Sequence, residues 1–192
     1  TSGDMNAWKW FPGESDATAT SGGWFYHEGG KRVDGNGNIV AGNEGCKSAN
    51  ELFKMYLETV GRNATLILNF PPNQAGRLSD DQVANLKTLG EMLRTRLGND
   101  LAKADGVKIT ATDTRSAGVH RTYDAKNMID GDSTTYWACN DAQNTAVITV
   151  ELPSVQTIHY VALQEYIQLG QRIKGFTVET STDGENWTKK GG

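Results

Sequence analysis

Ala64-Thr-Leu-Ile-Leu-Asn-Phe70, closed by Pro71-Pro72, is an almost unbroken apolar run. Its composition suits a strand buried on both faces, which is how parallel strands covered by helices read. Helical signals flank it. Upstream, Ser48 and Glu51 form a capping-box pattern ahead of Leu52, Met55, Tyr56 and Val60, and Gly61 stops the spacing. Downstream, Ser79 and Gln82 repeat the capping pattern, and Leu86, Leu89, Leu93 and Leu97 mark an apolar stripe that ends at Gly98. Helix, buried strand, helix is the wrapping of an α/β layered fold or barrel, in which ligands sit at the carboxyl ends of the strands. That rule places Asn69 and the Pro-Pro loop on the functional face.

Beyond about Gly106 the spacing changes to period two. Val107-Lys-Ile109, Ala146–Leu152, Ile158–Leu163 and Phe176–Thr180 alternate apolar and polar residues. Turn clusters such as Asp130-Gly-Asp132 and Asp183-Gly184 separate them, the pattern of a β-sandwich or jelly roll. The expected organisation is α/β plus all-β. Residues 1–99 form the α/β part, and 100–106 a connector where helical spacing has stopped and strand spacing has not begun. Residues 107–192 form the sandwich.

Upstream of the first helix, residues 1–45 read as long loop with at most one short strand, at Trp24–Tyr26, and a turn-dense tail at Asp34–Asn38. Within this loop Trp8 to His27 crowds three tryptophans, three further aromatics, Glu14, Asp16 and one histidine into one stretch. Flat apolar faces beside a few carboxylates are what a pocket for a sugar ring requires: stacking surface plus charged hydrogen-bond acceptors. The competing reading is a structural loop whose aromatics cap a core and whose acids are solvated. In an extended segment Glu14 and Asp16 point to the same side, so one can face a ligand while the other holds the loop through backbone N–H groups. His27 is a candidate ligand contact or a structural donor. Long loops inside compact domains are usually binding loops, which favours the site reading, with the strand end at Asn69 sharing the pocket.

The chain has 192 residues, 37% hydrophobic and 22% charged, with a net charge of -4. No apolar run approaches the length of a spanning helix, and an acidic balance argues against a surface built to hold nucleic acid. Cys46 and Cys139 fall in different predicted domains and read as buried free thiols rather than a disulfide. Asn63-Ala-Thr65 and Asn186-Trp-Thr188 match the glycosylation acceptor pattern, a match too common to fix a compartment. Thr1 in place of an initiator methionine, and a stop just after the turn at Asp183, read as both ends cut from a longer polypeptide.

Three of these segments, in order and spacing, resemble the C-terminal part of the catalytic barrel of the α-L-fucosidases, glycoside hydrolase family 29. They are Trp10-Phe-Pro-Gly-Glu14-Ser-Asp16, Gly23-Trp-Phe-Tyr-His27, and Val60-Gly-Arg-Asn-Ala-Thr-Leu-Ile-Leu-Asn69 with its prolines. Residues 107–190 resemble the galactose-binding-like sandwich of the discoidin, coagulation factor 5/8 type C kind. The carriers there are Asn127-Met-Ile-Asp130-Gly-Asp132-Ser-Thr-Thr-Tyr-Trp137 and Leu163-Gln-Glu-Tyr-Ile-Gln-Leu-Gly-Gln-Arg172. The resemblance implies the last elements of a (β/α)8 barrel followed by an incomplete sandwich, a fragment truncated at both ends. It also implies a retaining exo-acting enzyme on fucosylated glycans, secreted or periplasmic, with no cofactor for catalysis. A non-catalytic carbohydrate-binding or adhesion module is the alternative.

Retaining glycosidases use two carboxylates about 5 Å apart through a covalent intermediate. Nothing in residues 1–99 matches the family's nucleophile motif, so no catalytic residue is expected in this chain; Glu14 is the only acid/base candidate it offers. By position in the motif Glu14 is a pocket carboxylate, Trp24 an aromatic wall, and Asp16 and His27 neighbouring contacts. Thr18-Ala-Thr-Ser-Gly22 stands where many relatives carry an arginine, which bears on linkage preference. In the sandwich, Asp130, Asp132 and Thr135 are candidate oxygen ligands for a structural calcium, against an Asx-turn needing no metal. Open barrel edges predict that the isolated chain neither cleaves a fucoside nor folds cooperatively.

Overall fold

The computed structural model describes residues 13–20, 23–27, 31–41 and 45–191. Trp8 and Trp10, two of the three tryptophans of the aromatic stretch, lie outside the described residues. The chain runs β1 (Gly13–Thr18), a hairpin of β2 (Lys31–Val33) and β3 (Ile39–Ala41), α1 (Ala49–Thr59), β4 (Ala64–Asn69) and α2 (Asp80–Leu97). It continues with β5 (Lys108–Ala111), β6 (Ile148–Glu151), β7 (Val178–Thr180) and β8 (Thr188–Gly191). Contacts divide it into two compact units that meet at Asn99 and Asp100.

In the first unit β1 and β4 pair in parallel, Gly13 opposite Ala64 through Thr18 opposite Asn69. No tight turn can join parallel neighbours, so the connection carries the hairpin and α1 as its crossover. β1 corrects the expectation of loop over this region. Trp24–Tyr26, the one strand expected there, is bend and coil instead. α1 starts as the sequence predicts: Ser48 Oγ accepts from the Glu51 N–H, and Glu51 Oε2 accepts from the Ser48 N–H at 2.8 Å. A 3-10 turn at Val60–Arg62 and a left-handed Asn63 then turn the chain into β4.

The second helix starts differently. Ser79 caps no backbone N–H; its hydroxyl donates to Asp81. Gln82 is drawn fully inside, where its Nε2 donates to the Pro71 carbonyl at 3.3 Å. The Nε2 bond satisfies only the donor half of the amide, and Gln82 Oε1 stays buried without a hydrogen-bond partner among the described residues, a cost set against the lost capping bond. Asp81 and Asn85 reach back to accept the N–H groups of Cys46 (2.9 Å) and Ala49 (3.0 Å), so the first turns of α2 hold the entrance of α1. Between the helices lie Ala19, Ala49, Leu52, Phe53, Leu89 and Met92, with Leu57, Leu68, Phe70, Leu93 and Leu97 packed against them. Leu86, expected in this stripe, is exposed.

The sheet has two unlike faces. Glu14 and Asp16 on β1, with Thr65 and Ile67 on β4, are exposed; the alternate residues Ser15, Ala17, Leu66 and Leu68 are half-buried on the other side. β4 is therefore covered on one face only among the described residues, not on both. Ile67, at 47% exposure, is an apolar side chain whose cover would have to come from further strands.

The second unit contains two antiparallel ladders, β5 with β6 and β7 with β8. Ile158–Leu163, which alternates like a strand, forms none, and Ile158, Tyr160, Val161 and Leu163 are all exposed. Alternation supplies a face for a strand, but a strand exists only through a ladder partner, and this segment has none among the described residues. No described residue from 100 to 191 is buried, so the ladders do not enclose a core. The sharpest local structure is the β7–β8 turn. Asp183 accepts from the backbone N–H groups of Glu185 and Asn186 and from the Asn186 amide, which hold its carboxyl far below the usual range. Cys46 and Cys139 are free thiols as expected, though half-buried rather than buried.

Candidate functional site

At the carboxyl end of the parallel pair the backbone is held unusually tightly. Ala19 N–H donates to the Asn69 carbonyl (2.8 Å), Lys47 N–H to the Ala19 carbonyl (2.7 Å), and Lys47 Nζ to the carbonyls of Thr18 (2.7 Å) and Thr20 (2.6 Å). Ala19 and Thr20 are buried. This small rigid corner carries the aromatic loop. The hydroxyls of Thr18 and Thr20 each donate to the Gly23 carbonyl at 2.9 Å, and Asn69 Nδ2 donates to the Trp24 carbonyl at 2.8 Å. Gly23 has φ +132, open only to glycine, so the chain can bend here and present the next residues outward. Trp24 is 47% exposed and Phe25 79%, while Tyr26 and His27 are half-buried.

Trp24 and Phe25 are exposed rings on a loop bonded to the carboxyl end of the parallel sheet through Asn69, and exposed rings offer stacking surface to a ligand. The sheet alternation does place Glu14 and Asp16 on one face, but at different depths. Asp16 lies two residues before the end of β1 and Glu14 four, so at about 3.3 Å per residue Glu14 sits some 13 Å below the rim. Among the described residues the loop is held by threonine hydroxyls and the Asn69 amide, with no bond from either carboxylate. Thr18, Thr20 and Lys47 were not singled out from the sequence. Thr18-Ala-Thr20 looks like ordinary polar loop, and Lys47 is remote from it in the chain.

In the second unit Asp130, Asp132 and Thr135 come together. Asp130 Oδ1 accepts the Asp132 N–H and Asp132 Oδ1 the Thr134 N–H, both at 2.8 Å, around a left-handed Gly131. The bond from the Thr134 hydroxyl, aided by its N–H, keeps the Asp132 carboxyl below its ordinary range. The Thr135 hydroxyl donates to Asp130 Oδ2 at 2.7 Å and to the Asp132 carbonyl at 3.0 Å, so the turn is closed by its own hydrogen bonds. No cluster of three or more His, Cys, Asp or Glu suited to a metal occurs among the described residues.

Residues 9–96 match the α-L-fucosidase family model, and residues 108–192 match the F5/8 type C domain model. Alpha-L-fucosidase 1 of Arabidopsis thaliana is 29% identical over 182 residues, which is 95% of this chain and 32% of that protein. The structure is similar to that of a Ruminococcus gnavus GH29 fucosidase in complex with fucose. There the TM-score is 0.76 and the identity 30%, over 97% of this chain and 34% of the other. The chain thus spans about a third of the length of the relatives it matches. No helix among the described residues is long and apolar enough to cross a membrane. Residues 9–96 are similar to the α-L-fucosidases, and within the same chain residues 108–192 are similar to the F5/8 type C domains.

Proposed function

We propose that the protein containing this chain is a retaining exo-α-L-fucosidase acting on fucosylated glycans outside the cytoplasm. In this reading the first unit is the closing part of a (β/α)8 barrel and supplies one wall of its sugar pocket. The observation that carries it is the Gly23–His27 loop, pinned by Thr18, Thr20 and Asn69 to the carboxyl ends of two parallel strands with Trp24 and Phe25 facing outward. That rim is where barrel enzymes bind substrate. A deoxysugar presents an apolar methyl and ring face that an indole can cover, and Asp16 and Asn69 can hydrogen-bond hydroxyls. The two carboxylates that break the glycosidic bond, about 5 Å apart, come from barrel strands outside this chain. Glu14, four residues before the end of β1, is read as a pocket carboxylate rather than as one of them.

The experiment is turnover by the full-length protein. Release of fucose from an aryl α-L-fucoside with retained anomeric configuration, and a Trp24→Ala variant with KM raised about tenfold or more, are the expected results. Specific fucose binding without any release would instead establish a non-catalytic carbohydrate-binding module.

A second reading concerns the F5/8 type C segment: we propose that Asp130, Asp132 and Thr135, gathered in one turn by the Thr135 hydroxyl bonds, can supply oxygen ligands to a calcium ion. When bound, the ion would tie the turn together in place of the threonine hydroxyl bond. It would take no part in glycosidic cleavage.

A further inference from the structure

We infer that Lys47 is the positioning residue of the aromatic wall, an inference that rests on the fucoside reading of that loop. Three consecutive carbonyls, those of Thr18, Ala19 and Thr20, accept hydrogen bonds from this one residue: the outer two from Nζ at 2.7 and 2.6 Å, the middle one from the backbone N–H at 2.7 Å. An ammonium group bonded to two neutral carbonyls makes charge-assisted bonds stronger than neutral ones. It leaves a three-residue corner with little freedom. That corner is the part of the chain whose two hydroxyls grip the Gly23 carbonyl, and the next carbonyl along, that of Trp24, is held by Asn69.

The chain of contacts is therefore directional. Lys47 holds residues 18–20, their hydroxyls hold the Gly23 carbonyl, and Asn69 holds the Trp24 carbonyl, which together set the backbone from which the Trp24 ring projects. Lys47 itself has no place on the exposed sheet face or among the outward rings, so it acts through Trp24. Arginine can reproduce a charge that spans two carbonyls, though with a planar fork in place of a compact ammonium. Methionine keeps the length and apolar stem and loses every Nζ bond.

The test is a double-mutant cycle in the full-length protein with an aryl α-L-fucoside: Lys47→Met, Trp24→Ala, the pair together, and Lys47→Arg. Lys47→Met should raise KM about tenfold with kcat within threefold of wild type. Lys47→Arg should recover most of that, and Lys47→Met should add less than twofold on a Trp24→Ala background. Full additivity of the two substitutions, or an unchanged KM in Lys47→Met, would overturn the inference. So would a fall in kcat and melting temperature that Trp24→Ala does not absorb, the mark of a merely structural lysine. Absence of turnover in the wild-type protein would speak against the fucoside reading and not against Lys47. The placement is then read by acrylamide quenching of Trp24, taken as the difference from a Trp24→Phe protein. Lys47→Met must increase that quenching, and an unchanged value refutes the inference.

Discussion

Asn69→Asp replaces the amide N–H that holds the Trp24 carbonyl by a second acceptor, at a separation that is 2.8 Å in the native contact. The contact is open to solvent, so water can take the place of a lost donor. Removing the bond alone, as in Asn69→Ala, should cost about 0.5–1.5 kcal/mol, which is about 2- to 13-fold in KM if the loop position serves binding. Aspartate does more than remove the bond. An ionised carboxylate oxygen facing a carbonyl oxygen repels it, and the loop must move to separate them, so Asn69→Asp should exceed Asn69→Ala at pH 7. Toward pH 4, where a growing share of an exposed aspartate carries its proton, an O–H donor is restored, so Asn69→Asp should recover toward wild type and cross below Asn69→Ala. The assay is KM and kcat of the full-length protein on an aryl α-L-fucoside from pH 4 to 8, with fucose binding by tryptophan fluorescence where turnover is weak. Equal values for the Ala and Asp variants across this range, or a wild-type KM for Asn69→Asp at pH 7, would refute the reasoning.

Leu52, fully buried between the helices, should lose about 2–5 kcal/mol of unfolding free energy on truncation to alanine, read by denaturant melts of the full-length protein. Asp81 is held below the usual carboxylate range by the Ser79 hydroxyl and the Cys46 N–H. A folded-state pKa below the unfolded one contributes stability above about pH 4 that is lost as pH falls further, so Asp81→Asn should flatten the acid limb of a stability–pH curve. EDTA should lower the melting transition of the F5/8 type C segment within the full-length protein, with no effect in an Asp130→Ala variant. A wild-type transition indifferent to EDTA would leave the turn to its hydrogen bonds.

The helical signals of the first unit were legible because they are local. Ser48 with Glu51, and the apolar spacing after them, give an interior and an end within one segment. β1 was not legible for the same reason: Gly-Glu-Ser-Asp-Ala-Thr holds no large apolar residue, its inward positions are Ser15 and Ala17, and it is a strand only because β4 lies beside it. The Ser79 and Gln82 signal located the start of α2 but not its bonds, because the Pro71 carbonyl, a tertiary partner, takes the glutamine amide. Ile158–Leu163 failed in the opposite direction, with a clear alternation and no ladder to join. Of the candidate site, the association of the Trp24 loop with the strand end at Asn69 was legible, and the structure joins the two by a hydrogen bond. The site's holding residues were hidden, because a lysine that binds carbonyls leaves no pattern along the chain.

The β1–β4 register has a consequence for how binding competence arises. Each paired residue finds its partner about fifty positions away in sequence, a distant closure that chains reach slowly. The α1–α2 packing is nearer in sequence and is the natural early event. The Trp24 loop hangs on bonds that span both strands, since Thr18 is on one and Asn69 on the other. A refolding protein would therefore recover its helical circular dichroism before its affinity for sugar, and the interval between the two signals would time the docking of a single strand.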